Sequence, residues 1–158
     1  MPASTPERLL LDGHCLIVLE RTLLAAAPEE GCALLLGEQH HTTLVLQWIW
    51  PCCNRWQPAE ERTRRFQLDP REQLLAQRWS RSRSLTVLGA AHSHPCSEAV
   101  PSATDLELSL GPTLMLIRSG RAEGLAALGA WWIPESGSPL RLPIEQHPVA
   151  PGAGDLGE

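Results

Sequence analysis

The chain has 158 residues, 13 cationic side chains (all arginine) against 18 acidic ones, a formal net charge of −5, and a 43% hydrophobic share. That length suits one domain with its own core, and the composition excludes intrinsic disorder. No apolar run reaches the roughly 20 residues of a membrane span, the N-terminus lacks a secretory-signal pattern, and the odd count of five cysteines is not a disulfide framework, so a cytoplasmic protein is expected.

In chain order, residues 9–11 read as a short strand. Asp12 then caps a helix to about residue 27, with Leu16, Leu19, Leu23 and Leu24 along one side and Pro28 closing it. Residues 31–37 (GCALLLG) form a short apolar run between glycines, which suits a buried strand. After a turn at 39–41, the β-branched and aromatic run 42–50 completes a hairpin. Residues 55–83 hold eight arginines and only four acids, Glu60, Glu61, Asp69 and Glu72. A nucleic-acid reader would carry a broader basic surface, so a solvated face with local ion pairs is expected, with docking of an acidic protein as the sharper alternative. Asp69-Pro70 opens a second helix running to about Ser82 and expected to bury Leu74, Leu75, the stem of Arg78 and Trp79.

Residues 85–91 (LTVLGAA) read as a third buried strand leading into His92. A loop and a short helix follow, then strands over 113–117 and 125–133, and a last edge strand over 140–144. This alternation of helices and strands predicts an α/β fold, a single domain over 1–147 with a mixed sheet flanked by helices, followed by a flexible tail over 148–158.

The chemistry concentrates in residues 91–108, AHSHPCSEAVPSATDLEL. Side chains two apart on a strand share a face, so His92 and His94 can meet one ion. Pro95 turns the chain out, and the returning loop supplies Asp105 as an oxygen donor. Three protein ligands with an open fourth position are the pattern of a catalytic zinc site, one ion per chain, whereas structural sites are closed by four. Ser102 and Asp105 also read as a capping box at the start of a helix over 105–110; both roles can coexist.

HSHP with serine and aspartate at these offsets resembles the JAMM (MPN+) family of zinc metallopeptidases, in its prokaryotic stand-alone form. PEEGCALLLG, Asn54, FQLDP at 66–70 and LGAAHSHP extend the resemblance over roughly residues 9–133. Ala33 and Ala91 depart from the family pattern, which usually has glycine at the first position and often an aromatic at the second. Both replacements are small, and no ligand position is lost. The resemblance implies a layered, cytidine-deaminase-like architecture. It implies that Glu30, rather than Glu29, takes a proton from the attacking water and passes it to the leaving amine, and that Ser102 donates to the oxyanion. It further implies hydrolysis of an amide or isopeptide bond beyond the C-terminal Gly-Gly of a ubiquitin-like sulfur carrier protein or a peptide with such a tail. A non-catalytic scaffold of the same fold and a zinc amidase of small molecules are the alternatives.

Other candidates carry less. His40 and His41 fall in a turn, His14 and His147 have no neighbour at ligand spacing, and adjacent Cys52-Cys53 suits packing. The pairing of PCCN with HSHP does not make a zinc deaminase, which needs HxE with PCxxC. Cys96 is expected to be a bystander thiol, with redox sensitivity beside the metal as the alternative. No nucleic-acid or membrane partner is expected, and strand edges with tryptophans leave a homodimer open. With no lysine present, no side-chain amine of this chain can accept an isopeptide bond.

Overall fold

The apolar runs and caps become, in chain order, β1 (Arg8–Asp12), α1 (Gly13–Leu24), β2 (Cys32–His40), β3 (Thr43–Cys52), α2 (Pro70–Ser82), β4 (Thr86–His94), α3 (Ala103–Leu108), β5 (Thr113–Ser119), β6 (Leu128–Ile133), β7 (Leu140–Leu142) and β8 (Ile144–His147). This computed structural model describes residues 3–147; the tail expected over 148–158 lies outside the described residues. The strands form one sheet in the order β7-β6-β5-β4-β2-β3-β1-β8. β1 runs parallel to β3 and β8, and β4 parallel to β5; the other pairings are antiparallel. The expected mixed α/β architecture is the one found.

The edge strand expected over 140–144 is instead two strands on opposite edges of the sheet. Only Pro143 separates them. It has no N–H to continue a ladder, and its carbonyl accepts from Leu9 N at 3.0 Å. The sheet therefore curls until its two edges meet at Pro143, and α1 lies in the curl. Leu19 and Leu23 of α1 pack there with Leu9, Leu35, Leu116 and Leu142. Asp12 caps α1 as expected, accepting from Cys15 N at 2.7 Å. The helix ends at Leu24, which faces outward.

On the other face of the sheet, α2 covers Leu34, Leu36 and Val87. Its start is as expected, with Asp69 accepting from Arg71 N and Pro70 in the first turn. Its buried side is not: Leu74 and Leu75 are 61% and 51% exposed, and Arg78 is exposed too. Ala76 and Ser80 face the sheet in their place. The sheet already presents Trp48 and Trp50, whose rings contact Trp79 at 5.0 and 5.9 Å, and Trp50 Nε1 donates to Glu72 at 2.8 Å. Trp79 covers those rings while Ala76 packs with Leu34 and Leu36, and this face of the helix leaves Leu74 and Leu75 turned outward. β6 is also shorter than expected, because residues 124–127 form a 3₁₀ turn entered through Gly124 at φ +64. Among the described residues no helix is long and apolar enough to cross a membrane.

Candidate metal centre

Alternation along β4 places Ala91 with the α1-side core and Ala90 with the α2-side core. His92 and His94 therefore share the α2 face, and Ser93 points to the other. The strand does not stop at residue 91. It runs through His94 because Ser93 and His94 pair with Arg118 and Ser119 of β5, and Gly120 N closes the end on His94 O at 2.9 Å. A side chain at Gly120 would run into the carbonyl of Pro95, so this close approach requires glycine.

Asp105 arrives from α3, which begins at Ala103, earlier than expected, because Ser102 itself is the N-cap. Asp105 N donates to Ser102 Oγ at 3.0 Å, and Ser102 N donates to Asp105 Oδ2 at 2.9 Å. This reciprocal capping box aims the carboxylate at the histidines. Accepting that bond leaves the Ser102 hydroxyl proton available for donation, and Ser102 is exposed.

His92 Nε2, His94 Nε2 and Asp105 Oδ2 form a triangle with every side 3.1 Å. Tetrahedral ligation with bonds of about 2.0–2.1 Å calls for donor separations of roughly 3.3 Å, so the triangle fits one ion. His94 Nδ1–H donates to the Glu98 carbonyl at 2.8 Å, which leaves the Nε2 lone pair facing the triangle. All three residues are buried, and the group could hold a metal ion. Burial holds His92 below the ordinary imidazole range against the pull of Asp105. Burial opposes the charged form of His94 too, but bonds to Asp105 and the Glu98 carbonyl outweigh it and raise this imidazole. Burial likewise opposes Asp105 ionisation, yet bonds to the two histidines hold its carboxyl well below the usual range.

Glu30 stands beside this triangle, 3% exposed. Burial pushes its carboxyl up to about 7, with His94 lowering it and Asp105 raising it further. Its Oε2 is buried without a hydrogen-bond partner among the described residues, the state of a carboxylate oxygen suited to a water or substrate proton. Gly31, next in the chain, lies so close to α1 that a Cβ there would strike the backbone of Leu23. The structure thus brings the four residues of the 91–108 motif together with Glu30, the position that the family resemblance implied.

Three further residues shape the site. Ser93 bonds Gly31 through both its backbone and its hydroxyl. Phe66 stacks on His92, ring centroids 4.4 Å apart and planes 20° apart. Asn54 bonds backbone groups on both sides of Phe66 and the carbonyl of Glu30. Asn54 and Phe66 lie in segments that carried the family resemblance, which assigned them no role, and alternation puts Ser93, between His92 and His94, on the opposite face. A groove of about 570 Å³ runs along the α2 face to His92 and Asp105, walled by Phe66, Gln73, Gln77 and Leu108. His14, His40 and His41 are exposed, with His40 bonded to Glu38 at 2.8 Å. Cys52 is half-buried, Cys96 is exposed, and all five cysteines are free thiols.

Among known families, the model of prokaryotic homologs of the JAB domain matches residues 15–134. A desampylase of Pyrococcus furiosus is 28% identical over 129 residues, covering 78% of this chain and 86% of that protein. A solution structure of a Desulfitobacterium hafniense protein superposes with a TM-score of 0.79 at 27% identity, covering 89% of this chain and 94% of that one. One from Salinibacter ruber gives 0.63 at 32% identity, covering 87% and 90%.

Proposed function

The chain belongs to the prokaryotic homologs of the JAB domain, and from that premise we propose that it is a zinc-dependent metallopeptidase cutting an amide bond after a Gly-Gly sequence. Its substrate would be a ubiquitin-like sulfur carrier protein extended beyond its C-terminal glycines. The observation that carries this reading is the buried Glu30 carboxyl, pushed up to about 7, beside the His92, His94 and Asp105 triangle. A general base works best when its pKa lies near the operating pH. The desampylase relative supports a protein modifier as the class of substrate.

His92, His94 and Asp105 would hold one zinc ion per chain. When bound, zinc supplies Lewis acidity that acidifies water and polarises a carbonyl. Glu30 Oε2 accepts the proton of the attacking water and returns it to the leaving amine. Ser102, its oxygen locked by the Asp105 amide, donates its hydroxyl proton to the carbonyl oxygen as negative charge develops there. The groove receives the tail in extended form, and paired glycines present no side chains to its walls. Five free thiols suit a reducing cytoplasm, which we take as the site of action.

The test is to incubate the zinc-loaded protein with carriers extended past Gly-Gly and weigh the products. Loss of the extension, abolished in Glu30→Gln, is expected. Cleavage of small amides or short peptides with no gain from a folded carrier would favour an amidase. A protein that holds zinc nowhere and cleaves nothing would be a scaffold.

A further inference from the structure

Asn54 belongs to no helix or strand, yet its carboxamide is fully committed. Such a group has two N–H donors and an oxygen with two lone pairs. Nδ2 donates to the carbonyls of Glu30 at 3.0 Å and Arg65 at 2.8 Å. Oδ1 accepts from the amides of Trp56 at 3.0 Å and Gln67 at 3.2 Å. Every partner is a backbone group. Arg65 and Gln67 are the residues on either side of Phe66, so one side chain fixes both the segment carrying that ring and the segment carrying Glu30.

The second observation concerns His92. A metal-holding imidazole is normally oriented by a hydrogen bond at its other ring nitrogen. His94 has such a bond, from Nδ1 to the Glu98 carbonyl at 2.8 Å. His92 does not: its Nδ1 is buried with no hydrogen-bond partner among the described residues. What lies against the ring instead is Phe66, stacked at 4.4 Å with the planes 20° apart. The two imidazoles are therefore held by different means, one by a polar bond and one by an aromatic face.

We propose that Asn54 is a positioning residue that orients the ligand imidazole of His92 through Phe66 and holds Glu30 at the same time. This rests on the assignment of His92 as a ligand and Glu30 as the base. Asn54 touches neither the triangle nor the substrate groove, so its effect passes through the two segments it joins. The Phe66 ring replaces the missing bond at His92 Nδ1 by limiting rotation of the imidazole about its own axis.

Zinc affinity, measured by competition with a chromophoric chelator, tests this apart from activity. Phe66→Leu is expected to weaken zinc binding about tenfold, as loss of a ligand-orienting partner does, while Phe66→Tyr keeps it. Asn54→Asp keeps the shape and the acceptors but loses both donors; it should weaken zinc binding to a similar extent. Because Asn54 acts through Phe66, the double variant should bind zinc no more weakly than Phe66→Leu alone. At saturating zinc, kcat should fall further in Asn54→Asp than in Phe66→Leu, since only the former releases Glu30. If Asn54→Asp does not fold, the Phe66→Leu and Phe66→Tyr pair decides. Equal zinc affinity in that pair and wild type, or additive losses in the double variant, overturns the positioning role. A wild type that takes up no zinc overturns the underlying assignment instead.

Discussion

Ser93 and Gly31 clasp each other where the start of β2 meets β4: Ser93 N donates to Gly31 O at 3.0 Å, and Gly31 N donates to Ser93 Oγ at 2.8 Å. Each residue adjoins residues of the proposed site, Glu30 on one side and His92 and His94 on the other. The clasp therefore fixes the distance between the proposed base and the metal triangle by two bonds that involve neither. Because Ser93 is 4% exposed, those bonds are shielded from competing water.

Removing the carboxylate should separate chemistry from metal binding. Glu30→Gln is expected to lower kcat by at least 10²-fold while zinc content, read by elemental analysis, stays at one per chain. Retained activity would remove Glu30 from the mechanism.

The raised Glu30 carboxyl also predicts a pH dependence of metal-free stability. Its pKa lies at about 7 in the fold against an ordinary value of 4.5, so folding favours the protonated form. The associated stability is present below pH 4.5 and is lost as pH rises through about 7. Urea unfolding of chelator-treated protein should show Glu30→Gln level with wild type near pH 4.5. It should become more stable by at most about 3 kcal/mol above pH 7. A pH-independent gap would mean that burial does not perturb this carboxyl.

Ser102 is expected to fail in two separable ways when truncated. Ser102→Ala loses a helix cap, worth about 1 kcal/mol, which thermal unfolding reads. It also loses a transition-state donor, worth about 10²–10³ in kcat. Ser102→Thr keeps both groups and should recover most of each. Ser102→Ala with normal kcat and a lowered Tm would leave Ser102 a structural cap alone.

Gly31→Ala places a methyl group against the backbone of Leu23, which cannot yield without moving α1. A loss of about 1–3 kcal/mol is expected in urea unfolding, together with reduced kcat, because the same shift displaces Glu30. Unchanged values for both would mean that α1 accommodates the methyl freely.

The metal triangle is legible in the amino-acid sequence because its determinants are local. His92 and His94 share a face by strand alternation, and Ser102 with Asp105 reads as a helix cap wherever the helix goes. Glu30 is different: it comes from family resemblance, since nothing in PEEG alone distinguishes it from Glu29. What distinguishes them is burial, 3% exposure for Glu30, and that follows from the clasp between Gly31 and Ser93, 62 residues apart in sequence.

By itself, then, the amino-acid sequence determined most of the elements, the mixed α/β class and the three residues that could hold a metal ion, all consequences of alternation, capping and residue chemistry over short spans. Only the tertiary structure decided that β7 and β8 lie on opposite edges of the sheet, that Leu74 and Leu75 of α2 face outward, and that Asn54 ties Phe66 to Glu30. Each depends on what a distant segment presents. Pro143 bonds to Leu9 only once the sheet has curled, and the face that α2 buries is set by Trp79 meeting Trp48 and Trp50 of β3 and by Ala76 meeting Leu34 and Leu36 of β2. Three of the bonds of Asn54 stay within its own loop, and the fourth reaches Glu30 on the far side of the β2–β3 hairpin. Local periodicity carries no record of such partners, because they exist only after the chain has packed.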